Sequence, residues 1–142
     1  MARVMKYIQG TINLSLILSI YKSGNIKWYF DASFAVHKDM MNHAGVFMTM
    51  VTGGAYAQSS KPNMKTKSST EAKLVGVDDV LTQVIWTRLF LKEQRYMIHD
   101  NVIYQDNPSA LRLEKSGRRS IVNSTRHINI RYYFITDKII KK

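Results

Sequence analysis

Three carboxylates stand where the sequence predicts that strands end or a helix begins. Asp31 follows the apolar residues 28–30, and Asp106 follows residues 102–105, which are mostly apolar. Glu71 lies in the first turn of a predicted long helix. Carboxylates on such rigid elements can hold two divalent ions about 4 Å apart, which activate water and stabilise the leaving oxygen of a phosphodiester. Hard ions such as Mg²⁺ prefer these oxygen ligands. The three acids together indicate a metal-dependent site for phosphodiester cleavage.

Each of the three acids also has an ordinary structural explanation. Asp31 fits a turn at the end of a strand. The pattern from Ser68 to Glu71 is that of a capping box, which accounts for the glutamate without any chemistry. Asp106 followed by Asn107 and Pro108 fits a turn from a strand into a helix. None of the acids is specific alone, and the signal lies in their combination.

The charge of the chain favours a polyanionic partner. Among 142 residues, 21 are Lys or Arg and 10 are Asp or Glu, which gives a net charge of +11 on a chain of single-domain length. A surplus of this size favours nucleic acid before membrane, and a merely soluble basic protein is the alternative. The chain contains no cysteine, so disulfides and thiolate zinc sites are excluded.

Five basic side chains are predicted to contact nucleic acid. They are Lys61, Lys65 and Lys67, which precede the predicted long helix, and Arg126 and His127, which lie in the basic C-terminal part of the chain. Contacts of this kind with phosphate give affinity without sequence preference. A solvated face is the alternative for any single lysine, and a surface or capping role is the alternative for His127.

The apolar residues 12–20 are the one stretch that resembles a targeting segment. They are interrupted by Asn13, Ser15 and Ser19, and no small-residue cleavage pattern follows them. A membrane-spanning helix needs about 20 apolar residues. We therefore expect no signal peptide, no membrane partner and an intracellular setting, while a cytoplasmic particle and the nucleus stay equally open.

Hydrophobic periodicity and turn signals predict an α/β fold with a mixed sheet. Antiparallel strands come first, followed by a long helix, another strand and further helices. The predicted helices cover residues 2–9, 68–95 and 108–115, and the predicted strands cover residues 14–21, 26–33, 44–51, 55–59 and 102–105. Residues 116–125 are predicted to form a basic loop, and residues 127–142 fit either a helix at their start or a strand.

Six blocks of the sequence resemble the ribonuclease H domain at the end of copia-type retrotransposon polyproteins. They occur in the family's order and extend over nearly the whole chain. The blocks are residues 4–11 (VMKYIQGT), 28–33 (WYFDAS), 59–61 (SSK), 68–72 (SSTEA), 105–110 (QDNPSA) and 126–132 (RHINIRY). The SSTEA block followed by the QDN block is the most specific part of this resemblance.

The resemblance implies a fold, a reaction and a cofactor. The fold is a ribonuclease H-like mixed sheet, with three antiparallel strands and then a parallel strand, flanked by helices. The reaction is cleavage of the RNA strand of an RNA–DNA hybrid, with two Mg²⁺ or Mn²⁺ ions. Asp31, Glu71 and Asp106 match the family's first three metal-binding carboxylates. Residues 1–20 resemble the segment that connects a covalently linked reverse transcriptase to the ribonuclease H-like domain, which here comprises residues 21–142.

The sequence departs from the family pattern at three places. Lys73 stands where many relatives carry a second glutamate, and Asn129 stands where many carry aspartate; neither position is counted as metal-binding. Relatives continue beyond the position of Lys142 into a last strand and a helix that bears a fourth carboxylate. We therefore expect a C-terminally truncated domain that lacks this strand and helix.

Three functional hypotheses follow from these observations. The first is a hybrid-cleaving ribonuclease. The second is a catalytically inactive nucleic-acid-binding remnant of the same domain, and the third is an interaction domain that is unrelated to nucleic acid.

Overall fold

The computed structural model describes residues 1–20, 24–62 and 65–116 together with Ile135. Arg126 and His127 lie outside the described residues. The helices are α1 (Ala2–Thr11), α2 (Ser69–Glu93) and α3 (Pro108–Ser116). The strands are β1 (Ser19–Ile20), β2 (Asn25–Ser33), β3 (His43–Thr49), β4 (Val51–Thr52), β5 (Gly54–Ser60) and β6 (Asp100–Gln105).

In the described ranges, the main sheet contains four strands in the order β5-β3-β2-β6. Strand β3 pairs antiparallel with both β2 and β5, whereas β6 pairs parallel with β2. The predicted α/β fold with a mixed sheet is thereby confirmed, and the arrangement is compatible with a ribonuclease H-like fold. Within the described part of the chain, β6 is an edge strand. The expectation that a last strand and helix are lacking concerns the end of the chain and stays a prediction.

Strand β2 is the centre of the core because its side chains alternate between buried and exposed. Trp28 and Phe30 are buried, whereas Tyr29 and Asp31 are exposed. The indole Nε1 of Trp28 donates a hydrogen bond of 2.9 Å to the side-chain oxygen of Asn101 on β6, which satisfies its one polar atom. The pattern places Asp31 near the carboxyl end of a strand whose other face is fixed in the core.

Helix α2 packs closely against β2 at one glycine. A methyl group added at Gly76 would overlap the ring of Phe30, so only glycine permits this approach. Phe30 is the residue before Asp31, and the contact therefore fixes the start of α2 next to the acid. Residues three apart lie on the same face of a helix, and Lys73 is three residues before Gly76.

The prediction of a strand over residues 14–21 is wrong for most of its length. Of the described residues 14–20, only Ser19–Ile20 form a strand, which pairs antiparallel with Val51–Thr52. Leu14, Leu16 and Ile17 are exposed, because no sheet face in the described residues covers this apolar run. Leu14, Leu16 and Leu18 recur at every second position, as in a strand, but this local pattern does not supply a neighbouring strand to pair with.

Helix α1 extends beyond the predicted residues 2–9 and passes through Gly10 to Thr11, and none of its residues is buried. The assignment of residues 1–20 as a connecting segment stays a prediction. No helix in the described ranges has both the length and the apolar character that crossing a membrane would demand.

Candidate active site

The parallel pairing of β2 and β6 brings two of the predicted acids together. Phe30 on β2 pairs with Gln105 on β6. Asp31 directly follows Phe30 and Asp106 directly follows Gln105, so their carboxylates lie side by side at the same end of the sheet. Both side chains are largely exposed, at 72% for Asp31 and 74% for Asp106. Two neighbouring carboxylates repel each other when both are ionised, so a shared cation would stabilise the pair.

That cation is the ammonium group of Lys73, which reaches the acids from α2. Its Nζ donates a hydrogen bond of 3.1 Å to Oδ1 of Asp31 and a second one to Oδ1 of Asp106. The Lys73 side chain is only 9% exposed, so the aliphatic stem is buried while the charged end meets both carboxylates. The three side chains form one ion-pair cluster across β2, β6 and α2.

The pKa values of Lys73 and Asp106 are both shifted in the direction that favours the charged form. Burial lowers the pKa of Lys73, but the hydrogen bonds and charges of Asp106 and Asp31 outweigh this effect and raise it above its usual value. The hydrogen bond and charge of Lys73 hold the pKa of Asp106 below its usual range. Lys73 and Asp106 therefore each stabilise the charged form of the other.

We expect the titration of Asp106 to depend on Lys73. A lowered folded pKa means that the ion pair stabilises the fold above the ordinary aspartate pKa of about 3.9 and that this contribution is lost as the pH falls further. In Lys73→Met the pKa of Asp106 should return toward its usual value. The free energy of unfolding should then fall less steeply as the pH is lowered. NMR titration of the side-chain carboxyl carbons measures the pKa of Asp106 in the wild-type chain and in Lys73→Met. An unchanged Asp106 pKa in the variant would show that the ion pair does not form in solution.

Glu71 is engaged at the start of α2. Its backbone N–H donates to Oγ of Ser68 at 3.1 Å, and its own carboxylate oxygen Oε2 accepts the backbone N–H of Lys67 at 2.7 Å. This reciprocal arrangement closely resembles a capping box, in which the glutamate serves the backbone at the helix start. The capping explanation that the sequence left open therefore describes the contacts that Glu71 makes.

The three predicted metal ligands do not share one set of contacts. Asp31 and Asp106 both contact Lys73, whereas Glu71 contacts the backbone N–H of Lys67. In residues 1–20, 24–62, 65–116 and 135, no group of three or more His, Asp or Glu side chains is placed to hold a metal ion. Asp31 and Asp106 offer the hard oxygen ligands that Mg²⁺ or Mn²⁺ prefers. With Lys73 between them, however, the pair does not fit a divalent ion, because an ammonium group already takes up both carboxylates. A shared site of Asp31, Glu71 and Asp106 stays a prediction.

An open pocket of about 610 Å³ lies beside the acid pair. The rings of Tyr29 and Tyr104 stack at 5.2 Å along its wall, and the ring of Phe47 lies 6.3 Å from that of Tyr29. All three aromatic side chains are between 43% and 45% exposed. Such exposed rings can pack against sugars or bases. Gln105 also lines the pocket, and its buried side-chain amide has no hydrogen-bond partner among the described residues.

Three of the predicted basic residues lie in the segment that leads into α2. Lys61 forms an ion pair with Asp39, and the Lys61 hydrogen bond is the main reason that the pKa of Asp39 is lowered. Lys65 and Lys67 are exposed. All three are accessible to a phosphate backbone, but their role in binding nucleic acid stays a prediction, as does that of Arg126 and His127.

Lys73 is the site residue that the sequence analysis missed. It was recognised as a departure from the family pattern but was not assigned to the site. A signal was available, since Lys73 is the one charged residue among the apolar residues 72–77, all of which are buried in α2. A lysine is rarely buried unless a carboxylate pairs with it, so this position itself calls for acid partners.

The fold is that of an α/β protein with a mixed sheet, and it is compatible with a ribonuclease H-like fold. The chain is similar to the retrovirus-related Pol polyprotein from transposon TNT 1-94 of Nicotiana tabacum, with 27% identity over 137 residues. This similarity covers 96% of the chain and supports a relationship to retrotransposon Pol polyproteins. The chain spans about a tenth of the length of that relative. No protein-family model matches the chain.

Proposed function

We propose that this chain is a ribonuclease H-type domain of a retroelement polyprotein that binds an RNA–DNA hybrid and acts on its RNA strand. The observation that carries the proposal is the parallel pairing that sets Asp31 and Asp106 side by side next to an open aromatic pocket. Similarity to a retrotransposon Pol polyprotein supports the same conclusion. Covalent linkage to a reverse transcriptase is part of this proposal.

In this function each part of the site has a defined task. Once released from their present contacts, Asp31, Glu71 and Asp106 would hold Mg²⁺ or Mn²⁺, and a bound ion would supply an activated water and stabilise the leaving oxygen. The stacked rings of Tyr29 and Tyr104 would pack against the sugars or bases of the bound strand. The exposed lysines before α2 would contact its phosphates. Cleavage requires the acids to be released from their present partners, which are Lys73 for the pair and the Lys67 N–H for Glu71.

Binding without cleavage is the second candidate function, and the position of Lys73 favours it. An ammonium group between Asp31 and Asp106 offsets half of their negative charge and occupies an oxygen of each carboxylate, while it leaves the basic surface available for nucleic acid. The two functions share the hybrid as partner and differ in whether metal reaches the acids.

We expect the chain to bind an RNA–DNA hybrid with an affinity that falls steeply with salt. Three phosphate contacts, by Lys61, Lys65 and Lys67, would give a slope near −2.7 in a plot of log affinity against log salt, or a loss of about 40-fold from 50 to 200 mM. Fluorescence anisotropy in the absence of divalent ions measures this slope. Contacts to the 2′-hydroxyl should make binding to the hybrid tighter than binding to duplex DNA of the same sequence.

A triple variant tests which lysines carry the binding. Replacement of Lys61, Lys65 and Lys67 by methionine should make the slope less steep by about 2.7, whereas replacement of the exposed Lys92 at the end of α2 should leave it unchanged. A flat salt response in the wild-type chain would argue against a nucleic-acid partner. An unchanged slope in the triple variant would show that another part of the chain binds the nucleic acid.

A further inference from the structure

We propose that Lys73 is an internal cation of the acid pair, which takes the place of a divalent ion and sets a high threshold for metal binding by this chain. The inference deepens the proposed function and rests on it for the role of the acids in cleavage. Lys73 is not one of the predicted metal ligands. Its position would nevertheless control whether a divalent ion binds to the site.

The contacts of the acids support this role. Both carboxylates direct their Oδ1 atoms at the same Nζ atom, so the ammonium group occupies the point on which their charges converge. A divalent ion shared by the same oxygens would need that point, at roughly 2.0–2.6 Å from each oxygen. Two cations cannot share it, because they repel each other at that separation. Metal binding must therefore displace the ammonium group.

Displacement is costly because Lys73 has little room to move. Its side chain is 9% exposed, and residues 72–77 of α2 are all buried. Moved away from the acids, the ammonium group would lose both counter-charges, while its aliphatic stem would stay packed among the buried residues of α2. The chain therefore competes with metal ions through a group that is covalently attached and always present.

The packing of α2 explains why position 73, and not position 71, faces the acids. The contact of Gly76 with the Phe30 ring fixes the face of α2 that lies against β2, and Lys73 lies one turn earlier on that face. Glu71 is instead directed to the backbone N–H of Lys67. A helix-borne carboxylate that joins Asp31 and Asp106 is therefore expected from position 73. In Lys73→Glu the site would change from two acids with a cation to three acids.

The test is a titration of Mn²⁺ binding, followed by electron paramagnetic resonance at neutral pH. We expect Lys73→Glu to bind Mn²⁺ at least about 10-fold more tightly than the wild-type chain, because ligand charge sets the affinity of such sites. Lys73→Met should fall between the two. Lys92→Glu makes the same change in net charge at an exposed position on the same helix and should behave as the wild type. Adding Asp31→Asn to Lys73→Glu should remove the increase in Mn²⁺ affinity.

Thermal unfolding with and without Mn²⁺ gives a second readout and shows whether each variant is folded. A bound ion stabilises the folded state by mass action, so Mn²⁺ should raise the melting temperature of Lys73→Glu more than that of the wild type. If Lys73→Glu does not fold, the comparison of Lys73→Met with the wild type decides the question.

Equal Mn²⁺ affinity of the wild type and the Lys73 variants would overturn the inference, and so would an equal gain in Lys92→Glu. Hybrid binding without metal is measured on the same chains and tests the proposed function separately. Its absence would overturn that function, while the order of Mn²⁺ affinities still decides the role of Lys73.

Discussion

At a Mn²⁺ concentration that saturates Lys73→Glu, we expect this variant to cleave the RNA strand of an RNA–DNA hybrid at least about 100-fold faster than the wild-type chain. The wild-type acids are paired with Lys73, so few molecules carry the ion that activates water. A metal ion contributes several kcal/mol of transition-state stabilisation, and 100-fold corresponds to about 2.7 kcal/mol. The measurement is the rate at which a labelled RNA strand is cut, resolved on a gel.

Two further substitutions show whether the cleavage comes from this site. Asp31→Asn in the Lys73→Glu background should abolish it. Glu71→Gln separates the two roles of Glu71, since glutamine also serves in a capping box but is a poor ligand for a hard cation. Loss of cleavage in Glu71→Gln with unchanged stability would support Glu71 as a metal ligand. A wild-type chain that cleaves as fast as Lys73→Glu would contradict the role given to Lys73.

Trp28→Ala is expected to lower the free energy of unfolding by about 3–5 kcal/mol. Trp28 is 0% exposed at the centre of β2, and its ring contacts that of Tyr56 at 5.8 Å. Truncation leaves a cavity and removes the donor that satisfies Asn101. Since small domains are stable by only about 5–15 kcal/mol, the variant should be close to unfolding at 37 °C. Urea denaturation followed by circular dichroism measures the loss.

The second tryptophan provides a matched control for this prediction. Trp86 is 55% exposed on α2, where its ring stacks on that of Phe90 at 5.1 Å. Trp86→Ala should cost less than about 1 kcal/mol, because it removes a surface contact and opens no buried cavity. Similar losses of unfolding free energy in Trp28→Ala and Trp86→Ala would show that β2 is not the centre of the core.

The elements that the sequence predicts well are those with strong local signals. The strand over residues 26–33 alternates apolar and polar side chains, and the structure places it within one residue of that range. Ser68 caps α2 as its position before a long apolar stripe predicts. The side-chain oxygen of Asn107 accepts the N–H groups of Ser109 and Ala110 at the start of α3, as the Asn-Pro pair predicts. In each case a few adjacent residues determine the geometry.

The site is harder to predict because it depends on contacts between distant parts of the chain. The pairing of Asp31 with Asp106 follows from parallel strands and could be anticipated. Glu71 fits a cap and a metal ligand equally well in the sequence, and only the position of α2 on the sheet shows which contacts it makes. The partners of Lys73 lie 42 and 33 residues away, so no local pattern reveals that its ammonium group reaches both acids.

The most direct test of the central claim is a crystal structure of the wild-type chain and of Lys73→Glu, each grown with Mn²⁺ and measured for anomalous scattering. The wild type should show Nζ of Lys73 between the carboxylates of Asp31 and Asp106, with no anomalous peak there. Lys73→Glu should show a Mn²⁺ ion at that point, bound by both aspartates and by the new glutamate. A Mn²⁺ ion on Asp31 and Asp106 in the wild type, with Lys73 turned away, would contradict the account.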